Sequence, residues 1–526
     1  MATVRETTFD LLRNLGITTV FGNPGSTELP FLKDFPDDFH YVLALQEASA
    51  LGMAEGYAQG TDNAAFVNLH TAPGLGNAMG AMVTAYLDKT PLIVTAGQQD
   101  RRHLALEPLL SGRLVELARP YVKRSYEPPR AEDVPFELQR AYHTAMQHPR
   151  GPVFLSIPMD DWDAEAEPLA LRKVAHRVAP DPDALRVMAE ALARAKRPAI
   201  VAGPGVSRAR AFGEVVALAE KLRAAVFQDA VSALAGFPQR HPLFQGFLRL
   251  AQGPVAEQLA PFDAVLVLGT PVFTYYPYVP GPTVREGTRV FQITDDPEEA
   301  ARAAIGESVF ADLALGAGGL AALLPDTERQ APVTPEPPPV PEATSSMSVA
   351  FVMHAIAEAL PEDAVVVDES TSSKGVLHKY VRVSTVDGYH TSAAGGLGFC
   401  LPATVGLKLA LPDRVVACVI GDGSSMYSIQ ALWTAAQENL SVPFIVINNS
   451  GYSILKAFRD TIGISDVPGL DLPGIDHVRI AEGLGCTGER VEEPGDLGPA
   501  LKRALTADGP YLLDVAVDQT VPSLLR

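Results

Sequence analysis

Residues 414–449 read RVVACVIGDGSSMYSIQALWTAAQENLSVPFIVINN. The apolar run at 414–420 is typical of a parallel strand buried on both faces, and the spacing of apolar residues over 427–439 predicts a helix. A second apolar run at 443–447 predicts another buried strand. A strand, a turn, a helix and a second strand in this order indicate a parallel α/β unit.

Polar side chains lie where both predicted strands end. Asp422 follows the first strand and Asn449 follows the second, with 24 residues between the Gly-Asp-Gly and the Asn-Asn. Open α/β sheets bind ligands at this edge, and Mg²⁺ takes a few protein oxygens that phosphates and water complete. Gly421 and Gly423 let the backbone approach a phosphate closely. A lone Gly-Asp-Gly is more often an ordinary turn, but the Asn-Asn pair favours a site that holds a diphosphate through a divalent ion.

The composition argues against several classes of protein. The chain has 526 residues, which indicates three or four domains of about 150 residues each. Its net charge of −20 disfavours nucleic acid and anionic membranes as partners. The sequence shows neither a signal peptide nor the apolar run of about 20 residues that crosses a bilayer. Its three cysteines lack metal-binding spacing and indicate buried thiols in a reducing cytoplasm.

A proline-rich segment gives the clearest domain boundary. Six prolines in residues 332–341 predict an extended linker, and a second break falls in the Ala-Pro-Asp-Pro-Asp stretch at 179–183. Alternating strand and helix patterns predict an α/β fold whose parallel sheets are flanked by helices. The predicted organisation is a first domain at 1–180, a middle domain at 181–331, a linker at 332–345 and a third domain at 346–526.

The first and third domains repeat one pattern. Each opens with a helix that leads into a short strand. Each has a glycine-rich segment that predicts a turn, APGLGN at 72–77 and AGGLGF at 394–399. Each closes alike, with GPVFLSIPMD at 151–160 and GPYLLDVAVD at 509–518. Three similarities in the same order predict two domains of one topology.

The middle domain has apolar strands predicted at 198–202, 264–268 and 290–293. A Gly-Pro-Gly at 203–205 follows the first of them and is reminiscent of a nucleotide-binding loop, but the full dinucleotide fingerprint is missing. The sequence therefore favours a structural α/β domain over a nucleotide site.

Longer segments carry a resemblance to a known family. They are FGNPGSTELPFLKDF (21–35), ALQEA (44–48), NLH (68–70), GLGNAMGA (74–81), PLIVTAGQQ (91–99), AAGGLGF (393–399) and VPGLDLPGID (467–476). On these segments the chain resembles the thiamine diphosphate-dependent 2-oxo acid decarboxylases, most closely the benzoylformate decarboxylases. The resemblance implies a pyrimidine-binding, a middle and a diphosphate-binding domain. It also implies a homotetramer whose active sites lie at dimer interfaces.

The resemblance implies thiamine diphosphate as cofactor, held through Mg²⁺, with Ca²⁺ as an alternative ion. Asp422, Asn449 and the Gly451 carbonyl would be the metal ligands. Leu397 would lie beneath the cofactor and force its bent shape, and the Gly395 carbonyl would hold its 4-amino group. Further cofactor-binding residues implied by the resemblance are Glu47, Asn77, Thr371, Gly421, Gly423, Ser424 and Tyr452.

Glu47 would activate the cofactor as the carboxylic acid that faces the pyrimidine ring. The residue follows a strand predicted at 41–45 and begins a helix predicted at 48–58. A glutamate at a helix start is often only a favourable partner of the helix dipole. The diphosphate signature in the third domain favours the catalytic role.

Three more residues match catalytic positions of the family. Ser26 would bind the substrate carboxylate, or it is only a helix N-cap. His70 would handle protons on the carbinol oxygen, or it is a structural histidine at a strand end. Tyr276 stands where the family has a second histidine, and a phenol is a poor base that still donates a hydrogen bond. His390 is an extra histidine that would either replace it or lie at the rim of the site.

The resemblance also implies a mostly apolar substrate pocket, which suits an aryl or bulky alkyl group. Its residues would be Ser26, Leu109, Leu110, Thr371, Thr391, Ile454, Leu455 and Phe458. The implied activity is non-oxidative decarboxylation of a benzoylformate-like 2-oxo acid to an aldehyde and CO₂ through a cofactor adduct. The alternatives are a carboligating synthase or flavin-dependent oxidase of the same superfamily, and a catalytically silent binding protein. The sequence leaves the exact substrate open.

Overall fold

Three parallel sheets of six strands organise the chain, which confirms the predicted α/β fold. The computed structural model describes residues 2–344 and 346–523. All strand pairs within these three sheets are parallel. In the described residues no helix is both long and apolar enough to span a bilayer.

The first domain surrounds a sheet of order β3-β2-β4-β5-β7-β6, and β1 and β8 form a small antiparallel ribbon. Its strands are β1 (Ala2–Thr3), β2 (Thr19–Gly22), β3 (His40–Leu43), β4 (Ala65–Leu69), β5 (Leu92–Gln98), β6 (Ser125–Tyr126), β7 (Val153–Pro158) and β8 (Glu165–Ala166). Its α-helices are α1 (Val4–Asn14), α2 (Leu29–Leu32), α3 (Glu47–Thr61), α4 (Thr71–Leu87), α5 (Leu114–Ala118) and α6 (Val134–Met146).

The middle domain has a sheet of order β11-β10-β9-β12-β13-β14. Its strands are β9 (Pro198–Ala202), β10 (Ala225–Gln228), β11 (Phe244–Phe247), β12 (Ala264–Leu268), β13 (Arg289–Thr294) and β14 (Glu307–Phe310). Its helices are α7 (Pro182–Arg194), α8 (Pro204–Arg208), α9 (Phe212–Leu222), α10 (Gln252–Leu259), α11 (Pro297–Ala301) and α12 (Leu313–Leu323). The three strands predicted from the sequence lie in the centre of this sheet.

The third domain has a sheet of order β16-β15-β17-β18-β20-β19. Its strands are β15 (Val365–Glu369), β16 (Tyr389–His390), β17 (Val416–Gly421), β18 (Pro443–Asn448), β19 (Thr487–Val491) and β20 (Tyr511–Ala516). Its helices are α13 (Val349–Ala359), α14 (Lys374–Tyr380), α15 (Cys400–Ala410), α16 (Asp422–Ser425), α17 (Ala431–Gln437), α18 (Ser453–Ile462), α19 (His477–Gly483) and α20 (Pro494–Thr506). In chain order its strands connect as β2 to β7 do in the first domain, so the two domains share one topology, as predicted.

Two local predictions differ from the structure, one in the type of element and one in its bounds. The glycine-rich segment 72–77 is not a turn, because it lies inside α4. The helix predicted at 427–439 is shorter in the structure, where α17 spans Ala431–Gln437, and a separate short helix, α16, begins at Asp422 before it. The glycine content of 72–77 wrongly indicated a turn, and the apolar spacing of 427–439 gave the wrong helix bounds. In both places the contacts that fix the helix come from other segments, which the local pattern does not show.

The first and third domains share a continuous core. Helices α3 and α15 cross with their backbones in contact, and one cluster of buried residues extends from Phe21 to Leu512. A Cβ atom on Gly56 would collide with the Ala403 carbonyl, and one on Gly406 would collide with the Met53 carbonyl. Glycine is required at both positions because nothing larger fits the crossing. This contact fixes the relative position of the two domains that carry the candidate site.

Candidate active site

The carboxyl edge of the third sheet brings the Gly-Asp-Gly and Asn-Asn motifs together. Strands β17 and β18 pair in parallel with Gly421 beside Ile447, so the residues that follow them are neighbours. Asp422 Oδ2 accepts the Gly451 N–H at 3.0 Å. The predicted proximity of Asp422 and the segment after β18 therefore follows from the strand order.

The chemistry of this edge fits a hard divalent cation. The Asn449 Oδ1 atom is buried and has no hydrogen-bond partner in the described chain. Burial raises the pKa of Asp422, while the N–H groups of Gly423 and Gly451 act in the opposite direction. An unpaired amide oxygen beside a buried carboxylate and a backbone carbonyl is a donor set that suits Mg²⁺. The described residues contain no group of three His, Cys, Asp or Glu side chains that would hold a metal, so the ligands here would include an amide and a carbonyl.

The backbone around Asp422 is tightly packed. A Cβ atom on Gly423 would lie 2.5 Å from Tyr452 Cε1 and 2.8 Å from Leu472 Cδ1, so a side chain has no room there. Tyr452 N–H donates to the Leu470 carbonyl at 2.9 Å, and Leu472 N–H donates to the Ser450 carbonyl at 2.9 Å. The segment 467–476, which carries part of the family resemblance, thus supports the loop after β18. Ser424 is buried in the same turn.

The glycine-rich loop before α15 has the free space that a bound molecule needs. Gly395 has a φ of 72° and is exposed, and a Cβ atom at this position would meet nothing within 4 Å. Leu397 is half-buried beside it. Thr371, which follows β15, is exposed at the same edge of the sheet.

Glu47 begins α3 at the carboxyl edge of the first sheet. Its Oε2 atom accepts a hydrogen bond from Asn77 Nδ2 at 3.0 Å. A Cβ atom on Gly74 would lie 3.2 Å from Glu47 Oε1, so the glycine makes room for the carboxylate against α4. The glycine-rich segment that was predicted as a turn therefore supports Glu47 from within a helix.

Sequence reasoning missed one residue at this edge, Glu28. Its fully buried carboxylate lies 2.8 Å from His70 Nδ1, through Oε2, while the His70 side chain is 21% exposed. Oε2 also accepts the Gly25 N–H at 2.9 Å. Oε1 accepts the Gly97 N–H at 3.0 Å and the Thr27 hydroxyl at 2.7 Å. The signal was present in the quoted segment 21–35, where a glutamate stands two residues after Ser26.

The donors from Gly25, Gly97 and Thr27 make Glu28 an acceptor at both oxygens, so the His70 Nδ1 atom facing it carries the proton. The Nε2 atom is then the one free to exchange a proton. Ser26 is exposed beside this pair, and the following helix begins with Glu28 as its N-cap, so Ser26 does not cap it.

Tyr276 reaches the third domain from the middle domain. Its ring centroid lies 5.0 Å from that of Phe458, and 62% of the residue is exposed. Ile454 and Phe458 lie one turn apart on α18, and Leu455 follows with 46% exposed. The structure therefore brings Tyr276 against Phe458, on the helix that also carries Ile454 and Leu455. Leu109 and Leu110 lie on a loop of the first domain instead, and 86% of Leu109 is exposed.

His390 and Thr391 are enclosed within the chain. His390 is 1% exposed, and its ring nitrogens lie 2.7 Å from Gln59 Oε1 and 3.2 Å from the Asp387 carbonyl. Burial lowers its pKa to about 4. The Thr391 hydroxyl donates to the Asp368 carbonyl at 2.6 Å and accepts from Lys374 Nζ at 2.8 Å. A rim position or a proton-transfer role for His390 has no support in these contacts.

The glycine-rich loop at 203–205 in the middle domain packs closely against residues 269–270. Gly205 N–H donates to the Gly269 carbonyl at 2.9 Å, and a Cβ atom on Gly205 would lie 2.7 Å from the Gly269 Cα. A Cβ atom on Gly203 would collide with Thr270. These glycines serve close packing between β9 and β12, in line with the structural role predicted for the domain.

Family models match all three domains. The N-terminal TPP binding domain of thiamine pyrophosphate enzymes matches residues 2–114, the central domain matches 185–320, and the C-terminal TPP binding domain matches 369–515. The chain belongs to the thiamine pyrophosphate (thiamine diphosphate) enzymes, which confirms the resemblance stated from the sequence.

Individual relatives are similar over the whole chain. The chain is 42% identical over 528 residues to a benzoylformate decarboxylase of Pseudomonas aeruginosa, with 99% of this chain and 100% of the relative covered. The crystal structure of benzoylformate decarboxylase from Polynucleobacter necessarius is 41% identical, with a TM-score of 0.96 and coverage of 99% and 100%. A thiamine diphosphate-dependent 4-hydroxybenzoylformate decarboxylase of Rhodococcus jostii RHA1 is 43% identical, with the same TM-score and coverage.

Proposed function

We propose that this protein is a thiamine diphosphate-dependent carboxy-lyase that converts an aryl 2-oxo acid of the benzoylformate class to an aldehyde and CO₂. The observation that carries the proposal is the pair of half-sites on two sister domains. One half-site is the oxygen set around Asp422, and the other is Glu47 with the neighbouring Glu28–His70 pair. The full-length similarity to benzoylformate decarboxylases supports the same reaction class.

The metal and diphosphate belong at the carboxyl edge of the third sheet. Asp422, the Asn449 amide oxygen and the Gly451 carbonyl would hold Mg²⁺, or Ca²⁺ in its place. The buried and unpaired Asn449 Oδ1 supports this assignment, because such an atom costs free energy unless a partner satisfies it. Gly421, Gly423, Ser424 and Tyr452 would surround the diphosphate.

Glu47 would hold a proton at the pyrimidine ring. When bound, thiamine diphosphate supplies a nucleophilic carbon and accepts the electron pair left by CO₂. Asn77 binds Glu47 Oε2 and so orients the carboxyl group, while Oε1 has no hydrogen-bond partner in the described chain. Gly395 and Leu397 would contact the cofactor from the third domain, with Thr371 beside them.

His70 and Ser26 would act on the substrate. Glu28 fixes the Nδ1 proton of His70, so that Nε2 is free to take a proton from, or return one to, the substrate oxygen. The exposed Ser26 hydroxyl, two residues before Glu28 in the chain, would donate a hydrogen bond to the substrate carboxylate. Tyr276 would donate a hydrogen bond at the same site.

The residues near Tyr276 favour a substrate with a ring. Phe458 stacks obliquely on Tyr276, and Ile454 and Leu455 extend the apolar surface of α18. Aromatic rings prefer such tilted or edge contacts with one another. Leu109 and Leu110 would complete the pocket, and Thr391 would act only through the loop it supports.

We assign the active form as a homotetramer with active sites at dimer interfaces. Large apolar side chains on the loops around the site are exposed in the single chain: Leu106 is 82%, Leu109 is 86% and Tyr278 is 84% exposed. Exposed apolar surface of this kind is typical of subunit contacts. Three free, buried thiols support a reducing cytoplasm as the location.

A panel of 2-oxo acids tests the proposal. With thiamine diphosphate and Mg²⁺, benzoylformate and its ring-substituted analogues should release CO₂ faster than pyruvate does. Release from pyruvate alone, with a coupled carbon–carbon bond product, would favour the carboligating synthase instead. A yellow purified protein would favour a flavin-dependent oxidase, although the packed loop after β9 argues against one.

A further inference from the structure

Two buried carboxylates hold the glycine-rich loop 391–399. Asp88 of the first domain accepts the Ala393 N–H at Oδ1, at 2.8 Å. Glu369, the last residue of β15, accepts the Gly398 N–H at Oε1 and the Cys400 N–H at Oε2, both at 2.8 Å. The loop is thus bound near both of its ends by side chains from two different domains.

The part of the loop between these anchors makes few contacts of its own. Gly395 and Gly396 are exposed, and a Cβ atom on Gly395 would meet nothing within 4 Å. Ala394 N–H is bonded only within the loop, to the Ser392 hydroxyl at 3.1 Å. The position of Gly395 and Leu397 therefore depends on the anchors on either side.

Burying both anchoring carboxylates costs free energy, because a charged group is removed from water. Asp88 is 2% and Glu369 is 4% exposed. Burial raises the pKa of each to about 7, and the loop N–H groups oppose that rise. Two apolar side chains would fill the same space without this cost, and the backbone N–H groups that donate to each carboxylate offset part of it.

The charged groups around the anchors are few. Lys374 faces both carboxylates, Arg208 of the middle domain faces Asp88, and Glu55 of α3 adjoins Asp88. Glu55 accepts the Thr90 hydroxyl at 3.0 Å and makes no bond to the loop. The side chains that accept hydrogen bonds from the backbone N–H groups of residues 393–400 are Asp88, Glu369 and, within the loop, Ser392.

We propose that Asp88 and Glu369 are positioning residues that clamp loop 391–399 in the shape that receives the cofactor. The clamp rests on the proposed function, because Gly395 and Leu397 are the residues assigned to the cofactor there. It joins the first domain to a cofactor loop of the third domain in one chain. The carboxylates act through the loop and do not touch the reacting atoms.

The two anchors differ in a way that an experiment can use. Asp88 gives the loop one oxygen, so asparagine at position 88 retains an acceptor for the Ala393 N–H. Glu369 gives the loop both oxygens, so glutamine at position 369 places an NH₂ group against one of two N–H donors. Asp88→Asn should therefore be tolerated, whereas Asp88→Ala and Glu369→Gln should release the loop.

The test is thiamine diphosphate affinity, measured by calorimetry on apoprotein in Mg²⁺ buffer, with thermal unfolding of each apoprotein as the folding control. Glu369→Gln and Asp88→Ala should weaken binding about tenfold or more, and Asp88→Asn should stay within about twofold of wild type. The matched control is Asp229→Asn, another buried carboxylate, which bonds Thr270 in the middle domain and should leave affinity unchanged.

The outcomes separate the clamp from the proposed function. Folded Glu369→Gln and Asp88→Ala proteins with wild-type affinity, beside a wild type that binds the cofactor and releases CO₂, would overturn the clamp alone. A wild type that binds no thiamine diphosphate would overturn both. If Glu369→Gln fails to fold, the comparison of Asp88→Asn with Asp88→Ala tests the clamp. The clamp predicts tighter cofactor binding in Asp88→Asn, and equal affinity of the two variants would refute it.

Discussion

Replacing Glu28 with glutamine should slow turnover without weakening cofactor binding. The carboxylate accepts hydrogen bonds from Gly25, Gly97, Thr27 and His70 and is fully buried. Whichever way the amide turns, its NH₂ group faces a backbone N–H, so one buried donor loses its acceptor. With the NH₂ group toward His70, the imidazole proton moves to Nε2, and that nitrogen can no longer accept a proton.

The magnitude follows from the hydrogen bond that is lost. A hydrogen bond to a charged group contributes about 1.5–3 kcal/mol, which corresponds to about a 10- to 150-fold fall in kcat. The assay is CO₂ release from benzoylformate at saturating thiamine diphosphate and Mg²⁺, with the cofactor Kd and the unfolding temperature measured in parallel.

The control is Glu137→Gln, which alters a buried carboxylate of α6 that pairs with Arg124, away from His70. Its kcat should match that of the wild type. A Glu28→Gln enzyme that is fully loaded and turns over within about twofold of wild type would refute the assignment of Glu28 as the residue that orients His70.

Three further predictions concern the metal site and the two candidates for the second proton-transfer residue. Asp422→Ala should weaken thiamine diphosphate and Mg²⁺ binding about 100-fold, and unchanged affinities in calorimetry would mean that the metal site is misplaced. The pKa of His390 falls from 6.5 to about 4 on folding, so the unfolded chain takes up this proton first and stability falls as pH drops below 6.5. His390→Phe should remove about 2 kcal/mol of the stability that the wild type loses between pH 6.5 and pH 5, so its urea midpoint should shift less over this range. The variant should keep nearly the wild-type kcat, and a severe loss of kcat would instead make His390 catalytic. Tyr276→Phe should lower the single-turnover rate by about 2- to 12-fold, the range of one neutral hydrogen bond, and an unchanged rate would remove Tyr276 from the site.

The sequence predicted features that depend on strand order. Asp422 and Asn449 each follow a buried apolar run, and parallel strands place such residues at one edge. The repeated pattern in the first and third domains predicted their common topology for the same reason. The family resemblance then named Glu47 and His70, which lie just before or at the start of helices α3 and α4 at the edge of the first sheet.

Features that depend on contacts between distant segments could not be predicted. Glu28 bonds Gly97 and His70 across the sheet, and Asp88 bonds Ala393 in another domain. A single sequence gives no measure of such contacts. Segment 72–77 is part of helix α4, where Gly74 packs against Glu47, a contact that glycine content alone does not reveal. The family resemblance put His390 near the site because it comes just before the glycine-rich loop, whereas its side chain turns toward Gln59.

The central claim is that Glu47 activates thiamine diphosphate for decarboxylation of an aryl 2-oxo acid. The most direct measurement is CO₂ release from benzoylformate by wild type and Glu47→Gln, each shown by calorimetry to hold the cofactor and Mg²⁺. Glutamine keeps the size of the side chain and an acceptor for Asn77, but it has no acidic proton for the pyrimidine ring. The wild type should release CO₂, and the variant should lose all but about one hundredth of that rate, a typical contribution of a positioned acid. A loaded Glu47→Gln protein with the wild-type rate would contradict the claim.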